Sequence, residues 1–490
     1  MNEPVVRTVQ GAVRGVAGEN AVVFRGIPYA ATPIGAARFA LPQPRAAWDG
    51  VRDATAFGPT APQGERNLGD LDLSPYFGPG WIPGPDYLAV NVWTPDPGAG
   101  DLPVMVFVHG GGFVAGSARS PIYDGTAFAR DGVVLVTLNY RLGIPGFLDL
   151  PGAPANRGLL DVVQALRWVR ENIARFGGNP DRVTVFGQSA GATIVGALLA
   201  TPEARGLFAR AIVQSGSGLG AFSPEQAARV TRAAAEALGV EPRAEAFAAI
   251  PDERLVAAAS RLGGIDLRTA TARDPLVGLS PFSLVLDEQP AQAGGADVDL
   301  LIGTTTEEGN LYLAPSGAYA RSTADDVTAA AERSHPDPAA LVEAYRKSRP
   351  EASDGELRSA ILGDALFGAG TWALTEAHAE RHATYAYAFA WRSGALDGQL
   401  GATHTVDLPF VFDVTGLPEL HGPKAVLGPG LPPPDLARRV HAAWAEFAKT
   451  GSPGWDRYDT ARRATMVIDA DWHQVDDPRA AERRMWRRLE

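Results

Sequence analysis

The sequence contains no cysteine. No disulfide can brace it, and no thiol can act as nucleophile or metal ligand. Cations are the scarcer charge: 44 Lys and Arg against 56 Asp and Glu leave a net charge of −12. Lysine occurs only at positions 347, 424 and 449. Phosphate binding needs concentrated Lys and Arg, so no nucleic-acid partner is expected. The basic cluster from Arg479 to Arg488 is expected to be a solvated helix. No uninterrupted apolar run approaches the roughly 18 residues that span a bilayer. The opening Met1-Asn2-Glu3-Pro4 has no apolar signal-peptide core, so neither membrane insertion nor export is expected. No His-Glu-x-x-His pattern and no Cys cluster is present, so no metal is indicated. There is no internal repeat.

What remains is a chain of 490 residues, 46% hydrophobic and 20% charged, ample for a large core. Its most informative stretch is Val183-Thr184-Val185-Phe186-Gly187-Gln188-Ser189-Ala190-Gly191. A run of β-formers ends in Gly-x-Ser-x-Gly, and a run of small and apolar residues follows as a buried helix. A serine hydroxyl is a poor nucleophile until geometry exposes it and a base takes its proton. A sharp strand-to-helix elbow does the first, and it demands small flanking residues, here Gly187, Ala190 and Gly191. A second element, Val104 to Phe113, runs an apolar strand into His109-Gly110-Gly111-Gly112. Such a glycine loop can turn its N–H groups toward a carbonyl oxygen with no Cβ in the way. The N–H groups of Gly111, Gly112 and Ala190 are the expected oxyanion hole.

With these motifs in place, the chain resembles the type-B carboxylesterases, the α/β-hydrolase branch that includes cholinesterases and bacterial p-nitrobenzyl esterases. Phe24 to Ala30 resembles the family's opening signature, and Asp86 to Trp93 its second. Asn139 to Gly143, Gly158 to Asp161, Phe176 to Pro180 and Trp444 to Pro453 follow in order. The resemblance implies one α/β-hydrolase domain over residues 1–490. Its mostly parallel sheet would carry helices on both faces, and helical insertions would form a gorge over Ser189. The triad partners follow as acid and then histidine. The resemblance maps the acid onto Glu308, with Glu307 as a solvated neighbour, and the histidine onto His404 in Gly401-Ala402-Thr403-His404. His404 would take the Ser189 proton and return it to the leaving alcohol, while Glu308 holds the imidazole tautomer. Of the other histidines, His335, His378, His382 and His473 sit in charged contexts and are expected to be solvated.

The implied activity is hydrolysis of small-molecule carboxylic esters through an acyl-enzyme, with no cofactor. Amides or carbamates are the near alternative. A non-catalytic binding or adhesion protein of the same fold is the alternative from another class. Secreted relatives carry disulfides, so a chain without cysteine is expected in the reducing cytoplasm. Oligomeric state is left open.

Apolar runs place strands at Val104–Val108, Val133–Leu138, Val183–Phe186, Ala211–Gln214, Asp299–Ile302 and Tyr385–Trp391. Helical patterns occupy 159–176 and 225–238. The segments 220–280 and 314–363 look mainly helical and are expected to cap and wall the gorge. Residues 59–85, rich in Gly and Pro, read as a long surface loop whose Tyr76 and Trp81 either line a pocket or pin the loop. Three departures from the family stand out. The usual Glu before the serine is Gln188, which removes a charge and leaves two readings open: weaker attraction for cationic esters, or a neutral exchange. A family carboxylate and cysteine are absent at Pro85-Asp86-Tyr87-Leu88, so Asp86 is expected to pair with an arginine such as Arg38. No choline-binding segment is matched. Ser215, in Gln214-Ser215-Gly216, either hydrogen-bonds Glu308 or merely ends a strand.

Overall fold

The computed structural model describes residues 3–270 and 272–487. Fourteen strands are formed: β1 (Val5–Arg7), β2 (Ala12–Arg14), β3 (Val16–Ala17), β4 (Val22–Pro28), β5 (Val51–Asp53), β6 (Ala89–Thr94), β7 (Leu102–Val108), β8 (Val134–Leu138), β9 (Gly178–Gln188), β10 (Arg210–Gln214), β11 (Asp299–Thr305), β12 (Thr384–Phe389), β13 (Ala464–Ile468) and β14 (His473–Asp476). Eleven make one sheet in the order β14-β13-β12-β11-β10-β9-β7-β8-β6-β4-β3, and β1-β2-β5 form a small separate one. The seven strands from β13 to β8 run parallel. β6, β4 and β3 continue the sheet antiparallel, as does β14 at the far edge.

A parallel sheet is covered on both faces, so its strands read as continuous apolar runs. β7 shows the consequence of the two-residue side-chain period. Val104, Val106 and Val108 enter one core cluster while Met105 and Phe107 enter the cluster on the opposite face. Two of the family-like motifs meet on the first face. Arg141 and Asp161, both fully buried, form a two-pronged ion pair with N–O distances of 2.8 and 2.9 Å.

The six strand readings fall on β7 to β12. The strands at the C-terminal edge, β13 and β14, are only partly buried, carry less continuous apolar runs, and escape apolar-run reading. The N-terminal signatures, Phe24 to Ala30 and Asp86 to Trp93, fall on β4 and β6 in the antiparallel edge. The helix read at 159–176 is an α-helix over Arg157–Asn172 closed by a 3-10 turn to Phe176. The one at 225–238 is Pro224–Leu238, with a Ser223/Gln226 capping box that satisfies its first amides.

Several expectations are corrected. The segment 314–363 is helical, but its helices enclose a third cluster with Val327, Leu341, Tyr345, Ile361 and Trp486 rather than walling the cavity over Ser189. Residues 59–85 are not only a surface loop: they hold a short helix, Ser74–Phe77, and Leu73 and Tyr76 are buried. The basic C-terminal cluster does carry a helix, Ala480–Trp486, but it is solvated only in part: Arg484 and Arg487 are exposed, while two other arginines turn inward. Arg479 pairs with Asp364 and Glu482, and Arg483 pairs with Glu376 and Asp477. Arg488 lies outside the described residues. His335 and His378 are buried and hydrogen-bonded, because charged neighbours in sequence point elsewhere in space. Asp86 pairs with Arg45 and Arg52, each at 2.7 Å, while Arg38 pairs with Asp252.

Candidate active site

Ser189 stands between the last residue of β9 and the helix Ala190–Leu198, with φ 59° and ψ −126°. An L-residue with positive φ is strained, and such strain needs surroundings that hold it. The glycines on either side explain how. A Cβ on Gly187 would lie 2.7 Å from the Gly191 carbonyl, and one on Gly191 would lie 2.1 Å from Val108 O. β7 passes so close to the turn that only hydrogen fits there.

The site is assembled by the carboxyl ends of neighbouring parallel strands, where an open α/β sheet gathers its functional groups. His404 Nε2 is 2.8 Å from Ser189 Oγ, and His404 Nδ1 is 2.5 Å from Glu308 Oε2. With Nδ1 donating to the carboxylate, Nε2 is left as acceptor for the serine hydroxyl. Glu308, itself buried, is saturated on its other oxygen by Ser215 Oγ at 2.6 Å and the Thr305 amide at 2.8 Å. Of the two readings of Ser215, the hydrogen bond to Glu308 is the one observed. The three residues singled out by separate motifs are thus brought into one hydrogen-bonded line.

Glu307 is not a solvated neighbour. Its carboxylate receives Arg392 Nη1 at 2.5 Å and the Ala402 amide at 2.8 Å. It ties the loop that carries His404 to the loop that carries Glu308.

The glycine loop follows β7 with φ of 116° at Gly111 and 64° at Gly112. A Cβ on Gly111 would meet Ala115 O at 1.9 Å. The amides of Gly111, Gly112 and Ala190 have no hydrogen-bond partner among the described residues. Ala190 opens the helix, so its N–H belongs to the positive helix end. His109 holds the loop from beneath. It is buried, stacks on Tyr140 at 4.5 Å, and bonds Gly110 O through Nδ1 at 2.8 Å. Burial presses its imidazole down to about 4, so it is neutral at neutral pH.

Other residues of the site carry no local sequence signal. Phe367 stacks on the His404 ring at 4.2 Å and 11°. It sits in a π turn, Asp364–Gly368, a rare distortion that aims one side chain off the helical path. Asp364 is held by Arg479, so the C-terminal cluster anchors this turn. Asp407, one turn beyond His404, is buried and receives Gln214 Nε2 at 2.8 Å, while Trp444 Nε1 donates to Gln214 Oε1. Burial raises the Asp407 carboxyl to about 6. Gln188 is buried with its amide nitrogen 3.3 Å from His404 Nε2. Tyr76 lines the cavity over Ser189, and Trp81 does not.

That cavity has a volume of about 100 Å³. Its walls include Leu276, Leu279 and Ser280 from the first helical insertion and Leu366 and Phe367 from just beyond the second. No group of three or more His, Asp or Glu placed to hold a metal is found among the described residues.

The sequence profile of the Carboxylesterase family matches residues 2–486. The chain belongs to this family. The esterase is 36% identical to the para-nitrobenzyl esterase of Bacillus subtilis (strain 168), over 99% of this chain and 98% of that one. It is also 36% identical to the phenmedipham hydrolase of Pseudarthrobacter oxydans, over 93% and 92% of the two chains. Among solved structures, a Geobacillus stearothermophilus carboxylesterase superposes with a TM-score of 0.84 at 36% identity, covering 98% of this chain and 99% of that one. Cholinesterases are more distant relatives: the mouse enzyme is 29% identical over 99% of this chain. The fold is the α/β-hydrolase fold, and the protein is a serine-type carboxylic ester hydrolase acting on small-molecule esters.

Proposed function

We propose that Ser189 is the nucleophile of this esterase, with His404 as proton carrier, Glu308 as its orienting carboxylate, and the amides of Gly111, Gly112 and Ala190 as oxyanion hole. The single observation that carries the reading is the unbroken line Ser189 Oγ–His404 Nε2–Glu308. Ser189 Oγ attacks the ester carbonyl carbon as its proton passes to Nε2. The carbonyl oxygen becomes an oxyanion facing the three amides, which act without reorganising. The imidazolium, stabilised by Glu308, then protonates the alkoxide, and the alcohol leaves an acyl-Ser189 ester. Water attacks that ester with His404 again as base, releasing the acid and restoring the serine. No cofactor enters any step. An alkoxide leaves more readily than an amide nitrogen, which must be protonated before it departs, so esters are favoured over amides.

The whole chain acts as one hydrolase domain in this reading. The absence of cysteine and the net charge of −12 support a cytoplasmic enzyme that does not bind nucleic acid. No helix among the described residues is long and apolar enough to cross a membrane.

The test is hydrolysis of p-nitrophenyl esters of increasing acyl length by wild type and Ser189→Ala side by side. Wild type turns over the short and medium esters, and the variant loses roughly ten-thousand-fold or more in kcat. A variant that keeps its activity overturns the assignment.

A further inference from the structure

Arg66 lines the cavity over Ser189 and lies against the glycine loop: a Cβ on Gly112 would be 3.3 Å from Arg66 Nη2. Its guanidinium forms no hydrogen bond or ion pair with any described residue, and its Nε is buried without a partner. The fold treats its fully buried arginines differently. Arg141 is matched by Asp161 and two carbonyls, and Arg157 donates to four carbonyl oxygens. Arg66 is half-buried, and a guanidinium whose Nε is shut off from water without such a partner carries a cost. Desolvation duly lowers its pKa, and an arginine side chain keeps its charge in proteins.

The cavity gives Arg66 no internal counter-charge. Among the described residues no Asp or Glu lines it, and the position before the nucleophile is the neutral Gln188. The remaining wall is largely apolar, with Leu68, Leu73, Phe77, Leu276, Leu311 and Phe367. Arg66 and Leu279 also border a neighbouring cavity of about 250 Å³. Glu65 lines that second space and pairs with no cation among the described residues, Arg66 included. The phenol of Tyr312, whose ring is 6.0 Å from that of His404, lines the same cavity and acts on Arg66 electrostatically. A fixed fork of donors at the edge of an apolar slot, beside the oxyanion loop, matches a carboxylate in shape and charge.

We propose that Arg66 is a specificity-determining residue that docks a carboxylate carried by the ester substrate, so that the enzyme prefers esters with an apolar body and one anionic group. This rests on the esterase reading of the Ser189 site. Arg66 acts by binding, not by proton transfer.

Two matched pairs of esters test it at about pH 8. Ethyl hydrogen adipate against ethyl heptanoate places the charge on the acyl side. 4-Acetoxybenzoate against its methyl ester places it on the alcohol side. In one pair, Arg66→Met is expected to lower the charged-to-neutral ratio of kcat/KM about 10- to 100-fold, chiefly through KM, and Arg66→Lys to restore part of it. Ratios that stay the same in both pairs overturn the proposal. Calorimetric titration of Ser189→Ala with the two charged esters, with and without Arg66→Met, separates this from the catalytic assignment. Weaker binding of a charged ester in the double variant supports docking even if turnover fails, and equal affinity for both overturns it.

Discussion

The side chains with chemistry at this site were legible to different degrees. Ser189, His404, Glu308 and the glycine loop each sit in a short local pattern, because each needs a special backbone path that only certain neighbours permit. Glu307, Asp86, His378 and Arg479 were misjudged for one shared reason: each is tied to a partner 34 or more residues away, or its burial is set by distant elements. Gln188 was legible as a departure but not in its effect. Its amide now stands 3.3 Å from His404 Nε2, at the floor of a cavity without carboxylates. Gln188→Glu would add a partly desolvated negative charge there, where screening is weak. Turnover of choline-like esters relative to neutral isosteres should rise about 3- to 10-fold in the variant, read as a ratio of kcat/KM. An unchanged ratio would mean that the exchange is neutral.

At the scale of elements, the parallel core strands were readable because continuous apolar runs and Gly-rich turns mark them. The functional meaning of the insertions was not. Helical periodicity reports that residues 324–334, 338–348 and 354–363 form helices, yet carries no information on which surface they cover. They cover Trp486. The π turn at Asp364–Gly368 has no composition signature, since its extra residue is stabilised from outside by Arg479 and by Tyr345, which donates to Asp364. Phe367 meets His404 through that outside grip. The elbow differs: the spacing of Gly187 and Gly191 is dictated by contact with β7, so packing and motif coincide.

The whole molecule carries a pH dependence set by buried groups. Burial presses His109 and His378 to about 4, against about 6.5 in an unfolded chain. Between those values the unfolded state binds more protons, so the stability they contribute is present above about pH 6.5 and is lost as pH falls toward 4. Asp407, raised to about 6, works the other way: its penalty is full above that pH and is relieved by acid. Urea unfolding of wild type and His378→Asn at pH 7 and pH 5 isolates one histidine. The destabilisation caused by the variant should be smaller at pH 5 by about 2 kcal/mol. An equal difference at both pH values would contradict the burial argument for His378.

Covalent chemistry at one oxygen decides the mechanism. A fluorophosphonate probe should add a single adduct to the intact protein. Peptide mapping should place that adduct on Ser189, and Ser189→Ala should not be labelled. An adduct on another residue, or undiminished labelling of the variant, would contradict the assignment of Ser189 as nucleophile.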